Sequence, residues 1–241
     1  MSIMENQKET LSTEKNGNKI EDDGREIGPI IELNDEVLKD NEILSQRNRK
    51  FLHEHDIKSF DIVGSIGSGK TTILEKVAEK YKDEKNIHVI CGDVTTTIDS
   101  DRIHAQGAKT YQINTGRECA LNAYHIQSVI KEKIDDIDGV DILFIENVGN
   151  LICPSDFVLG ADRRIVVMSI TEGEHVVVKH PLLVKMSEAI IINKVDLVDV
   201  LGTDLDKMIQ DAKDINPNIE VIPLSAKTGE NMDILMEFLN L

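Results

Sequence analysis

A chain of 241 residues with a formal net charge of −17 and no tryptophan fits one ordinary α/β domain with a tail, its core built from Ile, Val and Leu. The acidity excludes a sequence-independent grip on nucleic acid, which needs clustered Lys and Arg. Three scattered cysteines, Cys91, Cys119 and Cys153, exclude a secreted disulfide framework, and no apolar stretch approaches the roughly 20 residues of a membrane helix.

Residues 1–33 are polar and aperiodic, with neither Cys nor His, and are expected to form a disordered arm. They lack the apolar run of a signal peptide, so a cytoplasmic chain is expected. A helix is predicted over 34–55, capped by Asn34 or Asp35, with Val37, Leu38, Leu44, Phe51 and Leu52 as a broken apolar stripe. Strand-like runs follow at Ser59–Val63, Ile87–Cys91, Thr110–Ile113, Ile142–Ile145, Arg164–Ile170, Ala189–Ile192 and Ile219–Pro223. Helices are predicted between them at Lys70–Tyr81, Cys119–Ile134, Asp204–Ile215 and Met232–Leu239. Continuous aliphatic runs suit parallel strands covered on both faces. The expected fold is α/β, a doubly wound and mostly parallel sheet over 34–241, with ligands beyond the carboxyl ends of its strands.

Gly64-Ser65-Ile66-Gly67-Ser68-Gly69-Lys70-Thr71, between a strand and a helix, has the spacing of a phosphate-binding loop. Gly64, Gly67 and Gly69 permit backbone angles that let N–H groups converge on phosphate, Ser68 included. Lys70 offers a charge to the β- and γ-phosphates, Thr71 a hydroxyl to Mg²⁺, and the helix start through Thr72 a positive dipole end. Asn193-Lys194-Val195-Asp196 after an apolar strand points to guanine. A carboxylate at Asp196 accepts from the ring N–H and the exocyclic amine, a pair that adenine does not present. Lys194 can lie along the base, Asn193 can tie this loop to the phosphate loop, and the amides of Ser225-Ala226-Lys227 can meet the guanine carbonyl. Read without its neighbours, the same tetrapeptide is a solvated turn.

Glu146, just past the run Ile142–Ile145, and Asp93, two residues past the run Ile87–Cys91, are the expected Mg²⁺ carboxylates, and the Gly149 amide can face the γ-phosphate. Asp99 either orients the attacking water or caps the next helix. With no evident arginine finger, hydrolysis of GTP is expected near roughly 10⁻⁴ to 10⁻² s⁻¹, a switch's pace. Cys91, on an aliphatic strand, reads as a small buried residue.

From about residue 34 onward the chain resembles the hydrogenase nickel-incorporation GTPases (HypB). The likeness rests on Gly92-Asp93-Val94-Thr95-Thr96, Ile113-Asn114-Thr115-Gly116, the run Phe144-Ile145-Glu146-Asn147-Val148-Gly149-Asn150-Leu151-Ile152-Cys153-Pro154, Thr171-Glu172-Gly173 and Ser225-Ala226-Lys227-Thr228-Gly229-Glu230. The resemblance implies a SIMIBI-like P-loop GTPase and metallochaperone that helps deliver nickel to a [NiFe]-hydrogenase precursor. It also implies a GTP-dependent homodimer, a second maturation protein as partner, and Cys119 and Cys153 as Ni²⁺ or Zn²⁺ ligands. The family's Cys-His pair reads Cys119-Ala120 here, so two thiolates per chain would need a second copy to make four. His125, six residues on, is too far along a continuous helix to replace that histidine, whereas His104 stays open. Lys179 matches a family lysine that reaches the partner's nucleotide, or is a solvated lysine at a helix start. Alternatives are a GTP-dependent scaffold without a metal site and the urease-type nickel GTPases, whose Cys-Pro-His triplet is missing.

Overall fold

A computed structural model describes residues 35–241; the arm expected over 1–33 and the cap expected at Asn34 lie outside the described residues. Seven parallel strands form one sheet: β1 (Lys58–Gly64), β2 (Ile87–Asp93), β3 (Lys109–Asn114), β4 (Ile142–Glu146), β5 (Arg163–Ser169), β6 (Ala189–Asn193) and β7 (Glu220–Leu224), in the order β3-β2-β4-β1-β5-β6-β7. The helices are α1 (Asp35–Glu54), α2 (Lys70–Tyr81), α3 (Ile98–His104), α4 (Ala123–Glu132), α5 (Val176–Lys179), α6 (Pro181–Lys185), α7 (Val198–Leu201), α8 (Leu205–Ile215) and α9 (Met232–Leu239). None of these is long and apolar enough to cross a membrane.

Strand residues alternate between two cores. Phe60, Ile62, Val89, Phe144, Ile165 and Ile191 pack with Leu74 and Val77 of α2 and Leu235 and Met236 of α9. Phe60 and Phe144 stack with centroids 5.3 Å apart. On the other face, Ile90, Leu143 and Ile145 meet Leu52 of α1 and Ile126 and Ile130 of α4. Val166, Ile190 and Ile192 meet Leu183 of α6 and Met208 of α8. Burial on both faces is what the unbroken aliphatic strands required.

The helix predicted from Cys119 begins only at Ala123, so Cys119 belongs to the preceding loop. Asn122 caps the helix, accepting from His125 N–H, and the His125 ring accepts from the Asn122 amide in return. Buried amides of α1 reinforce that start: Asn41 Oδ1 accepts from Ala123 N–H at 2.8 Å, and Asn48 Nδ2 donates to the Ala123 carbonyl at 2.8 Å. The short helices α3, α5, α6 and α7 were not predicted; none exceeds seven residues, too few to show a helical period.

Among the described residues, one ion pair has both side chains buried. Arg164 Nε donates to Asp61 Oδ2 at 2.8 Å and Nη2 to the Phe157 carbonyl at 2.7 Å, with both side chains buried. Removing one partner of such a pair leaves a charge stranded in low dielectric. Arg164→Ala is therefore expected to lower unfolding stability by about 3–5 kcal/mol, measured by urea denaturation. A loss below about 1 kcal/mol would show that the pair is water-supported.

Candidate nucleotide and metal site

The carboxyl ends of β1, β2 and β4 open into a cleft of about 500 Å³. It is lined by Gly67, Gly69, Lys70, Thr71 and Thr72 of the loop and α2, Asp93 and Asp99, and Glu146 and Gly149, with Lys194 at its edge. Most residues expected to hold the phosphates and Mg²⁺ thus converge. Gly64 and Ser68 lie behind the cleft wall. A Cβ on Gly64 would strike the Val167 carbonyl of β5, and a Cβ on Gly69, where φ is +104°, would strike the Asn193 amide. Only glycine fits either place.

Lys70 is buried, and its Nζ donates to the Gly64 and Ser65 carbonyls, each at 3.1 Å. Burial lowers its pKa, opposed by Glu146 and nearby carboxylates. Thr71 Oγ1 donates to Glu146 Oε1 at 2.7 Å, while Glu146 Oε2 is buried without a partner. An orphaned carboxylate oxygen beside a threonine hydroxyl is a donor set that fits Mg²⁺. Burial pushes the Glu146 carboxyl up to about 7, against the downward pull of Lys70 and of the Thr71 hydrogen bond. Asp93 behaves oppositely. Burial works to raise it, but Thr95 and Thr96 N–H groups donate to its Oδ1 at 2.8 and 3.0 Å, and donors of this kind hold it below the usual carboxylate range.

Asp99 does not cap α3; Thr97 occupies the cap position and Asp99 lies in the first turn, facing the cleft. Arg102, one turn on, also lines the cleft and was missed in the sequence. Its guanidinium grips Glu75 through Nε at 3.0 Å and Nη2 at 2.7 Å, reaches Thr72 Oγ1 at 3.2 Å, and lies 3.6 Å from Asp99.

On the guanine side, Asn193 Nδ2 donates to the Ser68 carbonyl at 2.8 Å, the tie expected between the two loops. Asn193 Oδ1 accepts from Ala226 N–H at 3.1 Å, and Lys194 Nζ donates to the Gly67 carbonyl at 2.7 Å. Ser225 Oγ donates to Asp196 Oδ1 at 2.6 Å, which fixes the carboxylate expected to read the base. The expectation for Ser225-Ala226-Lys227 narrows. The Ser225 amide serves the Glu230 carbonyl and that of Ala226 serves Asn193, leaving the Lys227 amide for the guanine carbonyl.

Cys119 and Cys153, 34 residues apart in sequence, are joined as a disulfide with Cα atoms 6.0 Å apart. The sequence reading did not foresee a bond between them; the loops after β3 and β4 bring the two together. Cys119 is exposed and Cys153 half-buried, so neither is a core residue, whereas Cys91 is free and buried as expected. Among the described residues no single-chain group of three or more His, Cys, Asp or Glu side chains could hold a metal ion. The helical-spacing argument against His125 fails, since the helix starts at Ala123, but another replaces it. Its Nδ1 accepts the Asn122 N–H, so Nε2 carries the proton and points at Glu118, 3.7 Å away. His104 is engaged with the Ala108 carbonyl through Nδ1 at 3.1 Å. Lys179 ends α5 instead of starting a helix, is exposed, and does not line the phosphate cleft.

Residues 59–223 match the family described as CobW/HypB/UreG, nucleotide-binding domain. The probable hydrogenase maturation factor HypB of Methanocaldococcus jannaschii is 46% identical over 210 residues, covering 87% of this chain and 94% of that protein. The crystal structure of HypB from Archaeoglobus fulgidus superposes with a TM-score of 0.77 at 41% identity, covering 84% of this chain and 98% of that one. HypB from Helicobacter pylori, solved in complex with nickel, superposes with a TM-score of 0.79 at 32% identity, covering 83% and 94%.

The Glu146 shift has a pH signature. Its carboxyl is easier to protonate in the folded chain, at about 7, than at its ordinary 4.5. Without metal, its contribution to stability is full below 4.5 and is lost as pH rises through about 7. Thermal-unfolding midpoints of the wild type, minus those of Glu146→Gln, should therefore fall across that window. Mg²⁺ with nucleotide should remove the fall; a difference that rises with pH would contradict the burial of an uncompensated carboxylate.

Proposed function

Since the chain belongs to the CobW/HypB/UreG family, with HypB proteins among its near relatives, we propose that it is a GTP-hydrolysing metallochaperone of hydrogenase maturation whose Cys119 and Cys153 hold nickel between two copies. The observation that carries this reading is one eight-residue loop. Residues 146–153 run from the buried Mg²⁺-type carboxylate, past a glycine in the phosphate cleft, to a cysteine paired with Cys119.

GTP is held by parts already in position. Lys70 exchanges the Gly64 and Ser65 carbonyls for β- and γ-phosphate oxygens, and Asp196 with the Lys227 amide reads the base. Thr71 Oγ1 and Glu146 Oε2 would hold Mg²⁺, with Asp93 close by, and the ion would neutralise phosphate charge there. Gly149 brings its amide towards the γ-phosphate, packed so closely on Ile66 that a Cβ would collide with it. Asp99 orients the attacking water. Arg102 is committed to Glu75 and Asp99, which supports slow hydrolysis in the absence of a partner.

Two sulfurs from one chain leave a tetrahedral or square-planar ion half-coordinated, and Ala120 offers no donor. A second copy would supply the other two. Apolar side chains exposed around the cleft support face-to-face pairing: Ile66 is 87% exposed and Ile152, beside Cys153, is 69% exposed. Lys179 would reach the other copy's nucleotide. The disulfide must be reduced before it ligates, and a cytoplasmic setting would keep it so. Zn²⁺ is the competing ion for four thiolates. A second maturation protein and the hydrogenase large-subunit precursor would be the partners that load and receive nickel.

Two measurements test this reading. Calorimetry should find GTP binding weakened on the order of 10²- to 10³-fold by Asp196→Asn, because an amide cannot accept from both guanine donors; equal affinity for ATP and GTP would defeat the guanine assignment. Reduced, GTP-bound protein should take up one Ni²⁺ per two chains, an uptake lost in Cys153→Ala. Absence of Ni²⁺ and Zn²⁺ binding at micromolar levels in every nucleotide state would leave a GTP-dependent scaffold.

A further inference from the structure

The loop 146–150 contains two asparagines that line up with the two cysteines. Asn147 is buried; its Oδ1 accepts from Val148 N–H and from Leu121 N–H, both at 3.0 Å, and its Nδ2 donates to Asp61 Oδ1 at 3.3 Å. Leu121 is two residues past Cys119. Asp61 is clamped by Arg164, so Asn147 is braced from behind by a buried ion pair. Asn150 is attached differently. Its Oδ1 accepts from Ile152 N–H at 2.6 Å and Cys153 N–H at 3.3 Å, and its Nδ2 lies 3.4 Å from Cys153 Sγ. Its own N–H donates to the Gly64 carbonyl at 3.0 Å. That carbonyl is the one Lys70 also holds, at 3.1 Å.

Resting on the reading above that the two cysteines are ligands, we propose that Asn150 is the positioning residue through which the nucleotide sets Cys153 against Cys119, with Asn147 as the fixed anchor of the Cys119 loop. When a triphosphate draws Lys70 away, the Gly64 carbonyl loses one of its two donors and the Asn150 amide becomes its sole partner. Cys153 moves with Asn150 because the same side chain accepts its N–H and touches its sulfur. The Cys119 loop stays, held to the Asp61–Arg164 pair. Coupling of this kind has two ends and a named physical link between them, which is what a two-site coupling requires.

The test uses reduced full-length chain at saturating GDP or non-hydrolysable GTP analogue. Two quantities are read in each state: Ni²⁺ affinity, and the rate of Cys153 alkylation by iodoacetamide, followed by mass spectrometry without metal. Wild type should differ between states by at least about fivefold in alkylation rate and in Ni²⁺ affinity, and Asn150→Ala should bring both ratios below about twofold. Asn150→Ser, whose hydroxyl can accept from Ile152 N–H, should restore part of the alkylation ratio; a purely structural defect would not be rescued selectively. If the wild-type alkylation ratio persists in Asn150→Ala, or is already near one in the wild type, the inference falls. If alkylation behaves as stated but no Ni²⁺ binds, the positioning role stands and the nickel reading fails.

Discussion

The hydrogen bond from Thr71 to Glu146 closes the phosphate loop against the end of the neighbouring strand, and the rest of the site is built around it. It joins the start of α2 to the end of β4 at the buried floor of the cleft, leaving one carboxylate oxygen with no partner. An ionised carboxylate cannot stay there at low cost: it takes a proton or a cation. Burial raises its pKa to about 7, so without metal it holds a proton well above the pH at which an ordinary glutamate ionises. A glutamate at this position therefore makes the loop beyond it responsive to what occupies the cleft.

That responsiveness matters because of where the next residues go. The chain leaving Glu146 has no freedom to wander: Asn147 is braced by the Asp61–Arg164 pair, and Asn150 is bonded to the first residue of the phosphate loop. A buried ion pair is seldom worth much as a source of stability. Its value here is directional: through Asn147 it braces the Cys119 loop, while Asn150 ties the Cys153 side to the phosphate loop. One side braced by a buried ion pair and the other tied to the phosphate loop is the asymmetry that the proposed coupling needs.

Much of this was legible in the sequence, for reasons specific to the residues. The phosphate loop, Asn193-Lys194-Val195-Asp196 and Ser225-Ala226-Lys227 are local, and each fixed letter has one chemical task. The strands were legible because parallel strands buried on both faces write unbroken runs such as Ile142-Leu143-Phe144-Ile145. Cys119 was misplaced on a helix because apolar spacing extends through Leu121, whereas the true start depends on Asn122 with a histidine at the third position, where a capping box ordinarily has Glu or Gln. Arg102 was invisible because its partner Glu75 is 27 residues away and its helix is only seven residues long. The cysteine pair and the two asparagines were invisible for a related reason: their partners become neighbours only after β3 and β4 flank β2 and release their loops on the same edge.

The departure at Ala120 gains a physical meaning from this arrangement. Ala120 is buried, so a histidine there could not simply be added without opening the loop, and the chain instead presents two sulfurs and nothing else. In the proposed two-copy site, two donors per copy would be weak alone and complete only when duplicated, so affinity for the ion and affinity between copies would become one quantity. Within one chain the same two sulfurs are joined to each other. The disulfide and the ligation proposed for a paired chain would thus compete for one pair of atoms.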